Sequence, residues 1–150
     1  MKNIFDLETT QEIINRIHKL NPSSTALWGT MSVDKMLAHC NVTYEMIYED
    51  KHKKTGAFAK FMLKLFVKDI VVNDKPYKKI SRTAPAFIIT DSRDFEKEKN
   101  RLIGFMEKTQ ALGAAHFDGK DSHSFGKLNS KEWHNMFYKH LDHHLSQFGV

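Results

Sequence analysis

The sequence contains a single cysteine, Cys40, among its 150 residues. One thiol excludes an intramolecular disulfide, so the chain shows no sign of an oxidising compartment. The sequence has no apolar run close to the roughly 20 residues needed to span a bilayer, and its N-terminal segment lacks the apolar centre of a signal peptide. From these absences we expect a cytoplasmic protein that does not associate with membranes.

The chain also lacks internal repeats, low-complexity tracts and the aromatic-interleaved or glycine-rich motifs of nucleic-acid readers. Its net charge is nevertheless +5, and much of it lies in a basic segment, residues 51–82, with ten Lys or Arg residues against Asp69 and Asp74. Such a segment can attract an anionic ligand. A solvated helix face and a basic loop explain it more simply, and we expect no nucleic-acid partner.

Length and composition indicate an ordinary globular protein. We expect residues 1–150 to form a single domain, since 41% of residues are hydrophobic and 27% are charged. A chain of this length can bury about 68–70% of the surface that its unfolded form exposes. Eleven Phe and seven Met predict a core of large, adaptable side chains.

Helical periodicity dominates the sequence and predicts an all-α protein, a helix bundle of four substantial helices with a short extra helix at the N-terminus. The expected helices span residues 10–20, 33–50, 56–72, 91–113 and 130–148. The segments between them, 73–89 and 114–128, are expected to be irregular.

Several residues mark the expected helix ends. Thr9 and Glu12 have the spacing of a capping box, Ser32 is a good N-cap, and Gly113 is placed to terminate a helix. The helix over residues 56–72 should have two unlike faces, with lysines on the solvated side. Its opposite, apolar side carries Phe58, Phe61, Met62, Leu65 and Phe66.

The last predicted helix contains three histidines in the segment KHLDHHLSQFG. On a wheel of about 100° per residue, His140 and His144 share the apolar arc of Trp133 and Phe137, whereas His143 lies to one side. Residues four apart on a helix have Cβ atoms about 5–6 Å apart, so two imidazoles can converge on one metal ion. The favourable helix dipole, or an ordinary buried role, would also explain these histidines without a metal.

A third ligand would have to come from another helix, and His39 is the best candidate. It lies at the edge of an apolar stripe, in line with Met36 and Thr43, and with His140 and His144 it could complete a three-nitrogen site with an open fourth position. Cys40, in the middle of that stripe, is expected to be a buried, inert thiol. The remaining histidines are expected on the surface or in loops: His18, His52, His116, His123 and His134.

Two segments carry a family resemblance. WGTMSVDKMLAHCN (28–41) and SFGKLNSKEWHNMFYKHLDHHLSQFG (124–149) resemble the DinB/YfiT-like superfamily, and more narrowly a bacterial branch of unknown function; together they cover about a quarter of the chain. The resemblance implies an up-down-down-up four-helix bundle, a divalent ion, often zinc or nickel, and a homodimer. It carries the metal-ligand role over to His39, His140 and His144, and Gln147 matches a recurrent glutamine whose role is either to support the site or purely structural.

Characterised relatives in that superfamily include thiol-dependent S-transferases and a mycothiol-dependent isomerase. By this resemblance we expect a metal-dependent enzyme, transferase-like or hydrolase-like, that acts on a small electrophilic molecule. A low-molecular-weight thiol is a further candidate cofactor. No carboxylate stands out as a general base, and His143 and His123 are the candidates for that role. The alternative is a non-catalytic, small-ligand-binding or stress-response protein with a structural or vacant metal site.

Overall fold

The computed structural model describes residues 1–80 and 83–150. These residues are mostly helical, which confirms the all-α prediction at the level of secondary structure. The elements are α1 (Leu7–His18), α2 (Val33–Tyr48), α3 (Ala57–Phe66), α4 (Lys68–Val72), a 3₁₀ turn (Pro85–Phe87), α5 (Phe95–Phe117), strands β1 (Asp121–Ser122) and β2 (Gly126–Lys127), and α6 (Ser130–Gln147).

The first helix begins earlier than expected. It follows Asp6 and already includes Thr9, so the predicted capping box of Thr9 and Glu12 is wrong. Thr9 and Thr10 are buried, and the Thr10 hydroxyl donates to the carbonyl of Ile4 at 2.6 Å. The two threonines therefore belong to the buried side of α1.

The boundaries of α2 and α6 agree closely with the sequence prediction. α2 follows Ser32, although the Ser32 side chain makes no capping hydrogen bond. α6 begins with a capping box in which Asn129 and Glu132 each bond the other's backbone N–H. It ends where Gly149 adopts a left-handed conformation with φ 75°.

The predicted helix over residues 56–72 is divided at Val67 into α3 and α4. Its orientation also differs from the prediction, because the apolar side of α3 faces solvent. The Lys60 ammonium pairs with Asp121 at 2.7 Å, and that of Lys68 pairs with Glu132 at 2.6 Å. Lys60 and Lys68 thus reach toward the protein, and Leu63 and Val67 pack on the core. A run of apolar side chains stays exposed: Phe58, Phe61, Met62, Leu65 and Phe66.

The fifth helix starts later and ends later than predicted. Its N-cap is Asp94, whose carboxylate accepts from the Lys97 N–H at 3.0 Å. Gly113 interrupts the helix with φ 71°, but helical structure resumes to Phe117. The fully buried Phe117 ring stacks on Phe5 at 5.2 Å, so core packing holds this last turn where the sequence suggested a loop. Strands β1 and β2 form a small antiparallel hairpin within the remainder of that predicted loop.

Aromatic packing around Phe137 ties α2, α5 and α6 together. The Phe137 ring stacks on Tyr44 of α2 at 5.2 Å, meets Phe117 of α5 at 5.5 Å, and stacks on Trp133 of α6 at 5.5 Å. These rings are all nearly inaccessible to solvent. The core therefore fixes α2 against α6, the two helices that carry the histidines of interest.

A polar network joins α2 to α5 on another side. Glu98 is buried, and its carboxylate accepts from the Asn41 amide at 2.7 Å and from Arg101 at 2.8 Å. Arg101 also pairs with Glu45 of α2. Because each buried charge has a partner of opposite sign or a hydrogen-bond donor, the network can be accommodated between the helices.

No helix within residues 1–80 and 83–150 combines the length and apolarity required to cross a bilayer.

Truncating Phe137 to Ala should lower the free energy of unfolding by about 3–5 kcal/mol, because it removes a fully packed ring from the core. Phe58→Ala is the matched control, since that ring is 79% exposed and its loss should change stability little. Chemical denaturation followed by circular dichroism measures both. Equal effects of the two substitutions would contradict this description of the core.

Candidate metal centre

Three histidines converge between α2 and α6, as the sequence predicts. His39 comes from α2, and His140 and His144 come from successive turns of α6. One nitrogen from each ring lies within 4.8 Å of the others, and the ring of His39 is centred 4.9 Å from His140 and 4.5 Å from His144. Three nitrogen donors at this separation could hold a metal ion.

The His39 ring is oriented by the 3₁₀ turn. Its Nδ1 lies 2.8 Å from the carbonyl oxygen of Phe87. A carbonyl can only accept, so Nδ1 carries the hydrogen and Nε2 keeps its lone pair. Phe87 lies in the segment 73–89, which the sequence predicts to be irregular, and its carbonyl sets the tautomer of His39.

Gln147 orients His144 in the same way. The Gln147 amide donates from Nε2 to the carbonyl of Trp28 at 2.8 Å, which directs its Oε1 toward His144 Nδ1 at 2.9 Å. His144 therefore donates from Nδ1 and presents the lone pair of Nε2. The loop that carries Trp28 lies close to Gln147 at Gly29. A Cβ at this position would lie 3.0 Å from Gln147 Nε2, and Gly29 has φ 77°, which favours glycine.

The third ring, His140, is held by Thr43, one turn after His39 on α2. The Thr43 hydroxyl lies 3.0 Å from His140 Nδ1 and can either donate or accept. On the other side of the ring, His140 Nε2 is 2.9 Å from His39 Nε2. Since His39 Nε2 carries a lone pair, a proton or a cation must lie between these two nitrogens.

The donor set fits a divalent transition metal. Two nitrogens that bind zinc at about 2.0–2.1 Å with tetrahedral geometry lie about 3.3–3.4 Å apart. The separation of His39 Nε2 and His140 Nε2, 2.9 Å, would have to increase by about 0.4 Å to admit the ion. Each Nδ1 meanwhile has a partner of the kind that orients metal-binding histidines: a carbonyl, a hydroxyl or an amide oxygen.

The electrostatics of the cluster keep the imidazoles neutral. Burial lowers the pKa of His39, and burial together with the neighbouring His144 and His39 holds the pKa of His140 well below its usual range. Burial and the nearby His39 lower the pKa of His144 to about 3. At neutral pH all three rings therefore have lone pairs to offer, and protons compete weakly for them.

His143 lies beside the cluster. Its ring centre is 5.0 Å from that of His144, with Trp28 at 6.0 Å and Tyr77 at 5.6 Å on other sides. Burial lowers the pKa of His143, against the opposing charge of Asp142. The Lys79 ammonium lies over the Trp28 ring, 4.5 Å from its centre. Aromatic and basic groups therefore border the cluster on this side.

The other candidate residues lie elsewhere. His123 is in the β hairpin, where its Nδ1 contacts the Thr55 hydroxyl at 3.2 Å, and nothing groups it with the three converging rings. Cys40 is buried against Met36, and burial raises the pKa of its thiol, in agreement with an inert role. Asp142, next to His143 in sequence, pairs with Arg16 at 2.7 Å and stays 42% exposed.

Sequence reasoning found the three rings but missed most of the groups that orient them. Thr43 was detectable, because it follows His39 by four residues and so shares its helix face. Gln147 was noted by position only, and its bridge to the Trp28 carbonyl depends on a loop 119 residues away in sequence. The Phe87 carbonyl carries no side-chain signal at all.

Comparison with known proteins gives a family but no function. The model of the family described as "Protein of unknown function (DUF1569)" matches residues 2–149, and the chain belongs to that family. No curated protein matches the chain, and no solved structure does. All three converging histidines fall within the matched residues.

Alanine substitution of His39, His140 or His144 should each abolish tight zinc binding, measured by competition with a chelating dye. Gln147→Leu should lower the affinity by about 10–100-fold, because it frees the His144 ring without removing a ligand. His143→Ala is the matched control and should bind zinc nearly as well as the wild type. Equal affinity in all five variants would refute the site.

Protein freed of metal by a chelator should lose stability as the pH falls below about 6.5. The folded-state pKa values of His39, His140 and His144 are depressed. The unfolded chain therefore binds protons that the folded protein excludes, at up to about 1.4 kcal/mol per pH unit for each ring. The triple variant His39→Asn, His140→Asn, His144→Asn should show a shallower dependence in denaturant titrations between pH 5 and pH 7. An unchanged slope would contradict the assignment.

Proposed function

We propose that this protein is a metal-dependent enzyme whose divalent ion is bound by His39, His140 and His144. One observation carries the proposal: three imidazoles place one nitrogen each within 4.8 Å of the others, and the Nδ1 of every ring is engaged by another group. Three protein ligands leave a coordination position open, which is the arrangement of catalytic rather than structural zinc sites. The family resemblance favours zinc and nickel, while imidazole ligands suit copper and iron as well.

When bound, the ion would supply the Lewis acidity that lowers the pKa of water or of a thiol toward neutrality. The protein's own part is to position this chemistry. Phe87, Thr43 and Gln147 hold the rings. The surrounding core buries His39 and His144, while His140 is half-buried. Both a thiol transferase and a hydrolase would use such an arrangement to attack a small electrophile.

His143 is the proposed proton acceptor. It adjoins His144 without belonging to the converging set, and its ring stands between Trp28 and Tyr77. A general base must lie close to the nucleophile without serving as a ligand, and His143 is the histidine beside the cluster that is not one of the three converging rings. His123 is the weaker candidate, because its contacts are with Thr55 and Ser124 in the hairpin region.

The basic segment, residues 51–82, is an argument for a small anionic substrate or an anionic thiol cofactor. Lys79, which belongs to it, stacks over Trp28 at the border of the histidine cluster. An ammonium there would attract a carboxylate on an incoming molecule. Arg82, the last residue of the segment, lies outside the described residues.

We also propose that the chain is a distant relative of the DinB/YfiT-like bundles and, like them, forms an up-down-down-up arrangement of four main helices. The support is the pairing of one histidine on α2 with two histidines one turn apart on the last helix. That distribution matches the ligand pattern implied by the two sequence motifs.

The enzymatic proposal is tested by turnover of the zinc- and nickel-loaded protein. The assay pairs low-molecular-weight thiols with small electrophiles, alongside ester and amide substrates for hydrolysis. We expect turnover that His39→Ala abolishes together with metal binding. His143→Gln should retain the metal but lose about 100-fold or more in rate, as expected for loss of a general base.

A metallated wild type without turnover in either assay would favour the alternative, a non-catalytic protein that binds a small ligand. Turnover that persists undiminished in His39→Ala would exclude the proposed site as its source.

A further inference from the structure

The apolar side of α3 is exposed to solvent, although the helical pattern of the sequence predicts the lysine side to be the solvated one. The apolar face, defined as Phe58, Phe61, Met62, Leu65 and Phe66, lies open to solvent, with Phe58 79% and Phe66 67% exposed. Ile70 of α4 adds another exposed side chain nearby in sequence. Contiguous apolar patches of this kind mark surfaces that contact another protein or a membrane.

The outward orientation of this face is fixed by contacts on the opposite side of the helix. Lys60 pairs with Asp121 of the hairpin, and Lys68 pairs with Glu132 of α6. Between them, Leu63 and Val67 pack against the hydrophobic core. Rotating the apolar face inward would break both ion pairs and expose Leu63 and Val67. The contacts of the folded protein therefore favour the outward orientation of the face.

The chain that forms and precedes the face is basic, although Lys60 and Lys68 are paired with Asp121 and Glu132. Residues 51–68 contain no Asp or Glu, and residues 51–80 contain nine lysines against two aspartates. Lys53 and Lys54 are exposed just before α3, and Lys64 is exposed on the helix itself. A partner for this surface must therefore present apolar material together with negative charge.

We infer that the apolar face of α3 and its flanking lysines dock the protein on an anionic membrane surface. A short helix with Phe and Leu on one side and Lys around it is the composition of helices that lie in the bilayer interface. The aromatic rings would enter the acyl boundary while the lysines reach the lipid phosphates.

Two other occupants fit this surface less well. A symmetric dimer through α3 would bring two copies of the same basic segment together, which opposes association. The Phe and Met side chains of the face would suit a protein interface, but such interfaces are depleted in Lys, and the face is flanked by lysines. The expectation of no membrane association rested on the lack of a spanning segment, and an interfacial helix needs none.

Sedimentation with lipid vesicles tests this inference independently of the metal site. The full-length protein should bind vesicles of phosphatidylcholine mixed with phosphatidylglycerol at low salt. It should bind pure phosphatidylcholine vesicles far less and be released by about 0.5 M NaCl. The double variant Phe58→Ser, Phe61→Ser should bind about tenfold or more weakly, and Lys53→Gln, Lys54→Gln about tenfold more weakly.

Leu7→Ser is the matched control, because Leu7 is an equally exposed apolar residue, 68% accessible, on a different helix. It should bind like the wild type, and circular dichroism should show every variant folded. Absence of wild-type binding to anionic vesicles, or equal binding by the Phe58, Phe61 variant, would overturn the inference. A lipid-free dimer that this variant dissociates would assign the face to a second copy. Retention on immobilised polyglutamate without vesicle binding would assign it to an acidic protein.

Discussion

The desolvation of three imidazoles at one point is the constraint on which the rest of the structure depends. Protonated rings could not lie this close together, with one nitrogen of each within 4.8 Å of the others. Burial resolves the conflict by keeping them neutral, and the hydrogen bonds at Nδ1 direct the remaining lone pairs inward. The same two conditions, neutrality and fixed orientation, are what a metal ion requires of its ligands.

The scaffold meets these conditions with parts that are distant in sequence. Aromatic packing around Phe137 fixes α6 against α2, and the buried pairing of Asn41, Glu98 and Arg101 fixes α2 against α5. Buried Lys139, adjacent to His140, donates to the carbonyls of Ile70 and Asn73 and ties the chain after α4 to α6. The precision of the site is thus a property of the whole helical assembly, while α3 contributes a separate surface.

The parts that could be predicted from sequence are those governed by local periodicity. His39, His140 and His144 were found because helical spacing places each on or beside an apolar face, and the predicted bounds of the last helix, 130–148, agree with α6 to one residue. The burial of α3 was predicted wrongly, because periodicity identifies an apolar face but not what it contacts; the ion pairs of Lys60 and Lys68 decide its direction. Phe87 and Trp28 act through their backbone carbonyls, and a pattern of side chains in the sequence does not reveal such contacts.

X-ray absorption at the zinc edge of the loaded protein tests the central claim most directly. The account predicts a first shell at about 2.0–2.1 Å made mainly of nitrogen, with the outer-shell scattering of three imidazoles, and loss of this zinc signal in His39→Ala. A shell of oxygen or sulfur ligands without imidazole scattering, or a spectrum unchanged by that substitution, would contradict it.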